Sequence, residues 1–233
     1  MFALKVLLLA HQIWVLFYSF VFNMGMTPVL FFPDIVLYSR GLFNSLIPIP
    51  IDIQAYLMDT AFSGLMMSIL VLFYYRHQCV LPAKHVFKLS EKQFSVLAGS
   101  LHAISLLYTI PQIYMAPDQA SAIQGLQQEY ADPPCDLWVP KMYVFFYGYS
   151  KLLLIYGIWI MTISNLMMFC IYHSFRTIKQ SSATVSKGTR KKQLGFLYAL
   201  ILMYSIPNIL LAFPCVGVFV GTMSSVDYYP GGY

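Results

Sequence analysis

Charge is what this sequence has least of. Only 10% of its 233 residues are Asp, Glu, Lys or Arg, where a soluble domain carries about 25%. With 59% apolar and 17% aromatic residues, a water-soluble globule is excluded, because one core could not hide so much. Catalytic signatures are missing as well: there is no nucleophile elbow, phosphate-binding glycine loop, zinc-protease helix or paired-carboxylate pattern, so an enzyme reading has no residues to rest on. The cysteines, Cys79, Cys135, Cys170 and Cys215, follow no metal-ligand spacing, and no second ligand stands near His102, which reads as a helix-packing residue. No cofactor or metal is expected. Cys170 and Cys215 read as buried thiols, which pack as small hydrophobes. Internal repeats with matching broken helices, the mark of many transporters, are also absent. The net charge of +5 sits in two short loops between apolar runs. That distribution speaks for membrane orientation and against nucleic acid.

What is present is an all-α pattern: a polytopic transmembrane helical bundle, one domain over residues 1–233, with five spans near 4–22, 53–75, 94–113, 142–175 and 194–220. The first run is longer than a signal-peptide core and no small-x-small site ends it, so it reads as a span. The fourth, at 1.5 Å per residue, is about 50 Å long against a hydrocarbon core of roughly 30 Å, so its last turns should leave the membrane. Pro28, Pro33, Pro48 and Pro50 break the loop 27–52, and Pro207 and Pro214 should kink the fifth span. The loops 76–93 and 176–193 hold ten basic residues and one acid. The opposite loops, 27–52 and 114–141, with the C-terminal tail hold two basic residues, Arg40 and Lys141, and seven acids. Positive loops stay cytoplasmic, which puts the N-terminus inside and the C-terminus outside.

The stretch Ile53 to Arg76 is the axis of the bundle. Asp59 lies inside it, and a carboxylate in a span costs a few kcal/mol unless it faces a partner or water, so it should point inward. Tyr56, Asp59, Ser63 and Met67 form one helical stripe; Thr60, Gly64 and Ser68 form a small-residue face beside it. Lys151 lies at similar depth in the fourth span, on a face with Tyr147, Leu154, Ile158, Thr162 and Asn165. Two readings stand side by side: a structural ion pair between Asp59 and Lys151, or two walls of a ligand pocket that Tyr56, Tyr147 and Asn208 complete.

Four groups of residues carry a resemblance to a known family. Pro28 with Phe32-Pro33, Tyr38 and Gly41, the ending Arg76-His77-Gln78, the stretch Pro117-Asp118-Gln119 followed by Tyr130 and Pro133-Pro134-Cys135, and Pro207 with Pro214 occur in order along nearly the whole chain. Together they resemble the nematode serpentine chemoreceptors of the seven-helix superfamily, class I first and class H as its sister, over helices two to six. The resemblance implies a truncated multi-pass plasma-membrane receptor. It implies a small odorant or pheromone-like ligand entering from the outer face and a heterotrimeric G protein inside, facing Arg76, Arg176, Lys179, Arg190, Lys191 and Lys192. Tyr75 stands before Arg76, so no adjacent acid restrains the arginine. The reading of a different class is a non-signalling membrane scaffold that docks other helices through Thr60, Gly64 and Ser68.

The charge count predicts that an epitope tag inserted near Ser186 is protected from antibody in intact cells, while one near Gly125 is accessible. The reverse pattern would invert every assignment of inner and outer face.

Overall fold

The computed structural model describes residues 2–31, 36–129, 142–144, 151–180 and 186–207. Helix α1 (Phe2–Ser19) runs on into a π-helical segment, Phe20–Met26. That segment is closed by Thr27 in the left-handed conformation (φ 42°), whose N–H donates to the Phe22 carbonyl at 3.0 Å. Strands β1 (Pro28–Phe31) and β2 (Val36–Ser39) follow, then a short α2 (Leu42–Ser45), the long α3 (Ile51–Val80), α4 (Glu91–Tyr108), α5 (Ile110–Met115) and α6 (Gln119–Glu129). A two-residue β3 (Tyr143–Val144), α7 (Lys151–Gln180) and α8 (Lys187–Pro207) complete the described elements.

Three of these helices are long and apolar enough to cross a bilayer: Leu4–Met26, Ile51–Val80 and Ile155–Gln180. α4, expected as the third span, opens with Glu91-Lys92, and α8, expected as the fifth, opens on Lys187 and Arg190 to Lys192. These charges dilute both within their described lengths. α3 reaches five residues beyond the expected end of its span, so Arg76, His77 and Gln78 are helical rather than part of a loop. The described part of α7 runs from Lys151 to Gln180, five residues past the expected end at 175, and residues 143–144, expected at the start of that span, form a strand.

The chain divides into two compact units, to both of which α3 and α7 contribute. In the helical unit (residues 1–18, 59–110 and 156–205) the core is Met67, Leu70, Leu72 and Phe73 of α3, Ile163, Met167 and Cys170 of α7, and Leu197 and Leu200 of α8. Polar groups are turned inward. The buried Ser68 hydroxyl bonds His11 Nδ1 at 2.8 Å, Ser63 donates to the Ser105 carbonyl at 3.2 Å, and Thr60 donates to Thr109 at 3.3 Å. Apolar side chains such as Leu9, Leu16, Val96, Leu107 and Met168 are exposed. This distribution suits a lipid solvent, where helices gain from polar contacts and close packing rather than from hiding leucines. The Trp14 ring lies flat against Gly64, where any Cβ would overlap it. Trp14 also stacks on His102, whose Nδ1 donates to the Ala98 carbonyl at 2.9 Å. α4 starts at a capping box: Ser90 Oγ accepts from Gln93 N–H, and Gln93 Oε1 accepts from Ser90 N–H at 3.0 Å.

In the second unit (residues 19–58, 111–155 and 206–233) the proline-rich loop forms an antiparallel ribbon with Pro28 opposite Ser39 and Phe31 opposite Val36; β3 pairs with the far side of β2. Pro28 is tolerated because it opens an edge strand. Gly41 brings the backbone against that of Gly25, donates its N–H to the Met26 carbonyl at 2.9 Å, and has no room for a Cβ. The fully buried Gln54 gathers the loop before α3 by donating to the carbonyls of Ile49 (2.8 Å) and Phe43 (3.3 Å). Asp118 caps α6 by accepting from Ser121 N–H and Oγ, which holds its carboxyl below the usual range. Next to it, Gln119 donates to the Val144 carbonyl at 3.2 Å and accepts from Val144 N–H at 2.8 Å. The Pro117-Asp118-Gln119 motif therefore starts a helix and ties it to a strand.

Gly64→Ile should sharply lower the yield of folded protein, because Trp14 has nowhere to go, whereas Gly99→Ala, in open space on α4, should leave yield unchanged or raise it. Size-exclusion profiles of the two detergent-extracted variants check this; equal yields would mean that Trp14 does not seat on Gly64.

Candidate functional site

Within the helical unit the inward stripe of α3 carries Asp59 into an aromatic cluster. Asp59 is 8% exposed. Its carboxylate accepts a hydrogen bond from the Tyr156 hydroxyl of α7, while Oδ2 has no hydrogen-bond partner among the described residues. Tyr108, the last residue of α4, stacks on Trp159 with ring centroids 4.3 Å apart and planes 10° from parallel, and meets Tyr156 edge-on at 5.7 Å. The Tyr108 hydroxyl is buried and also lacks a hydrogen-bond partner among the described residues. A buried acceptor left unpaired costs about 1–3 kcal/mol, and more when charged. Two such groups on neighbouring side chains, backed by three aromatic rings, are what a site that completes its bonding with a ligand looks like.

Of the residues chosen from the sequence, Asp59 stands in this cluster, and Ser63 and Met67 continue its buried stripe. Tyr56 lies one turn earlier on α3 and is half-buried. Lys151 opens α7, but its side chain, together with Tyr147 and Asn208, lies outside the described residues, as do Cys135, Cys215 and Pro214. The face assigned to Lys151 is exposed at Ile158, Thr162 and Asn165. There Thr162 and Asn165 bond backward to the carbonyls of Ile158 and Met161. α7 instead turns Tyr156, Trp159, Ile163 and Met167 inward. Sequence reasoning missed Tyr108, Tyr156 and Trp159 because it followed charge. Aromatic residues at helical spacing look the same on a lipid-facing stripe and on an inward one.

The small-residue face is filled from within the unit: Trp14 covers Gly64, His11 holds Ser68 and Thr109 holds Thr60. The scaffold reading loses the docking surface it rested on.

At the other end of α3 three consecutive residues reach three different elements. The Arg76 guanidinium lies 4.9 Å over the Phe196 ring of α8, with Nε buried and without a hydrogen bond among the described residues. His77, fully buried, shares a 2.9 Å hydrogen bond between its Nε2 and Nδ1 of His173 on α7. Gln78 clamps the following loop: it donates to the Phe87 carbonyl and accepts from Leu89 N–H, both at 2.8 Å, while Lys88 Nζ donates to its backbone carbonyl. His85 lies 5.3 Å from His173, centroid to centroid. Among the described residues no group of three His, Cys, Asp or Glu could hold a metal ion. Steps of about 100° along a helix send neighbours to different partners, which is why this short motif needs all three side chains.

Arg76→Ala is therefore expected to lower folded yield together with any signalling, by about 0.5–1 kcal/mol for an exposed-to-half-buried cation–π contact, and Phe196→Leu should do the same. Surface expression by flow cytometry checks both; normal expression with lost signalling would mean that Arg76 acts on an effector and not as a fastening between helices.

The family model described as serpentine type 7TM GPCR chemoreceptor Srh matches residues 1–230. No curated protein and no solved structure gives a match. The match takes in all four motifs on which the sequence resemblance rests and falls on class H, the sister of class I. It names a family of membrane receptors, not of enzymes. By the extent of that match, the chain belongs to the Srh family of serpentine seven-helix GPCR chemoreceptors.

Proposed function

We propose that this chain is a plasma-membrane chemosensory receptor. In this reading a small odorant or pheromone-like molecule enters from the acidic outer face and is bound by Asp59, and a heterotrimeric G protein docks at the cytoplasmic end. The family supplies the receptor class. The observation that carries the ligand site is the Asp59 carboxylate, nine-tenths buried, with one oxygen that meets no hydrogen-bond partner among the described residues, beside the Tyr108 hydroxyl, which meets none there either, and a wall of Tyr156 and Trp159. Tyr56, Tyr147, Lys151 and Asn208 are the further lining that the sequence suggests, with Lys151 as the counter-ion of Asp59. Arg76, Arg176, Lys179, Arg190, Lys191 and Lys192 form the proposed G-protein face, with the N-terminus on the same side.

The reading is tested in cells that express the chain with a G-protein reporter. A pool of small volatile and secreted compounds should raise the reporter, and Asp59→Asn or Tyr108→Phe should reduce that response at least tenfold, which corresponds to ~1.4 kcal/mol. A response unaffected by either change removes the site. For the counter-ion, Asp59→Asn and Lys151→Met should each lower folded yield and the double variant should recover part of the loss. Independent, additive losses would assign the carboxylate to Tyr156 alone.

A further inference from the structure

We infer that the groove between the last turns of α7 and the first turns of α8 binds the phosphorylated headgroup of a membrane lipid, a phosphoinositide. A cavity of about 480 Å³ is lined there by Tyr172, Phe175, Arg176, Lys179, Arg190 and Tyr198. A second, of about 470 Å³, shares Arg190 and Tyr198 and adds Lys187 and Lys191. Both fall within the range of roughly 300–1,000 Å³ usual for small-molecule sites. Phe175 meets Tyr198 edge-on at 5.6 Å, which joins the two helices beneath the groove. Five cations therefore line two adjoining cavities, and no acid stands among their described lining residues.

Helix electrostatics make the arrangement more than a basic surface. Arg176 and Lys179 end α7, where the negative end of the helix dipole favours cations. Lys187, Arg190 and Lys191 open α8, whose first turn has no acid and whose positive dipole end disfavours them. Like charges gathered against a helix N-terminus repel until an anion enters. Phosphate oxygens answer both the guanidinium forks and the helix end. Five positive charges call for a headgroup with phosphomonoesters rather than one net negative charge.

The surroundings select a lipid. Tyr172 and Tyr198 on the rim are 66% and 55% exposed, as amphipathic rings at a membrane–water interface are. Away from the groove the exposed apolar residues Met168 and Met161 continue the Tyr172 face of α7, and Leu202 continues the Tyr198 face of α8. These faces give acyl chains a track toward the bilayer centre while the headgroup sits among the cations. Basic pockets between helices on the cytoplasmic side are suited to such lipids. The inference rests on the cytoplasmic assignment of these loops and not on the ligand reading at Asp59.

The test uses the full chain in phosphatidylcholine nanodiscs doped with phosphatidylinositol bisphosphate, with phosphatidylserine at matched charge, or supplied with soluble inositol trisphosphate. Displacement of a fluorescent phosphoinositide and the unfolding temperature are the readouts. Phosphatidylinositol bisphosphate should bind and raise the unfolding temperature well above the other two. Arg176→Gln and Arg190→Gln should each weaken binding roughly fivefold, Arg190→Lys should restore part of it, and Lys84→Gln in the other basic loop should change nothing. An equal response to phosphatidylserine, or an equal loss in Lys84→Gln, would overturn the site in favour of diffuse loop charge. Soluble inositol trisphosphate binding as tightly as the lipid would overturn the lipid part. Unchanged phosphoinositide binding in Arg190→Gln with reduced G-protein coupling would make the groove an effector surface only.

Discussion

The contact on which the helical unit depends is that of the Trp14 ring with Gly64. It brings α1 close enough to α3 for His11 to reach Ser68, and the same indole stacks on His102 of α4. In a lipid solvent there is no reward for burying one more leucine, so helices are held by fit and by polar groups that find one another. α3 is surrounded accordingly: α1 at Gly64 and Ser68, α4 at Thr60 and Ser63, α7 at Asp59 and His77, and α8 at Arg76 and Phe73, whose ring meets Tyr204 edge-on.

That centrality was legible in the sequence. A single carboxylate in an apolar run has to face inward, and a Thr-x-x-x-Gly-x-x-x-Ser face has to be approached by something. What approaches it was not legible, because a face open to small residues fits a backbone, a ring or a foreign helix equally well. Here a tryptophan of the first helix takes it. The α7 face was misread for a related reason. Thr162 and Asn165 look like inward groups, but each satisfies itself on the carbonyl of its own preceding turn and can stand in lipid at little cost. The inward side is marked by Tyr156 and Trp159, whose apolar bodies give no periodic contrast with a membrane-facing surface. The ribbon of β1 and β2 escaped for another reason: four prolines announce a broken loop, and the pairing of its remaining residues depends on Gly41, which tolerates the close passage of Gly25.

The Arg76-His77-Gln78 ending joins family membership to mechanics. As a motif it carried part of the sequence resemblance, and as a structure it fastens α3 to α8, to α7 and to its own following loop. Any displacement of that end of α3 has to disturb all three attachments together, and the same helix carries the Asp59 cluster.

The side-chain amide of Gln119 has a consequence outside signalling. It occupies both backbone groups of Val144 in β3, so among the described residues the sheet ends on that side in a side chain rather than in open hydrogen-bonding positions. Exposed strand edges recruit strands from other molecules. With that edge already saturated by its own helix, a chain otherwise rich in β-forming aromatic and branched residues presents no template there on which a neighbouring copy could begin to aggregate.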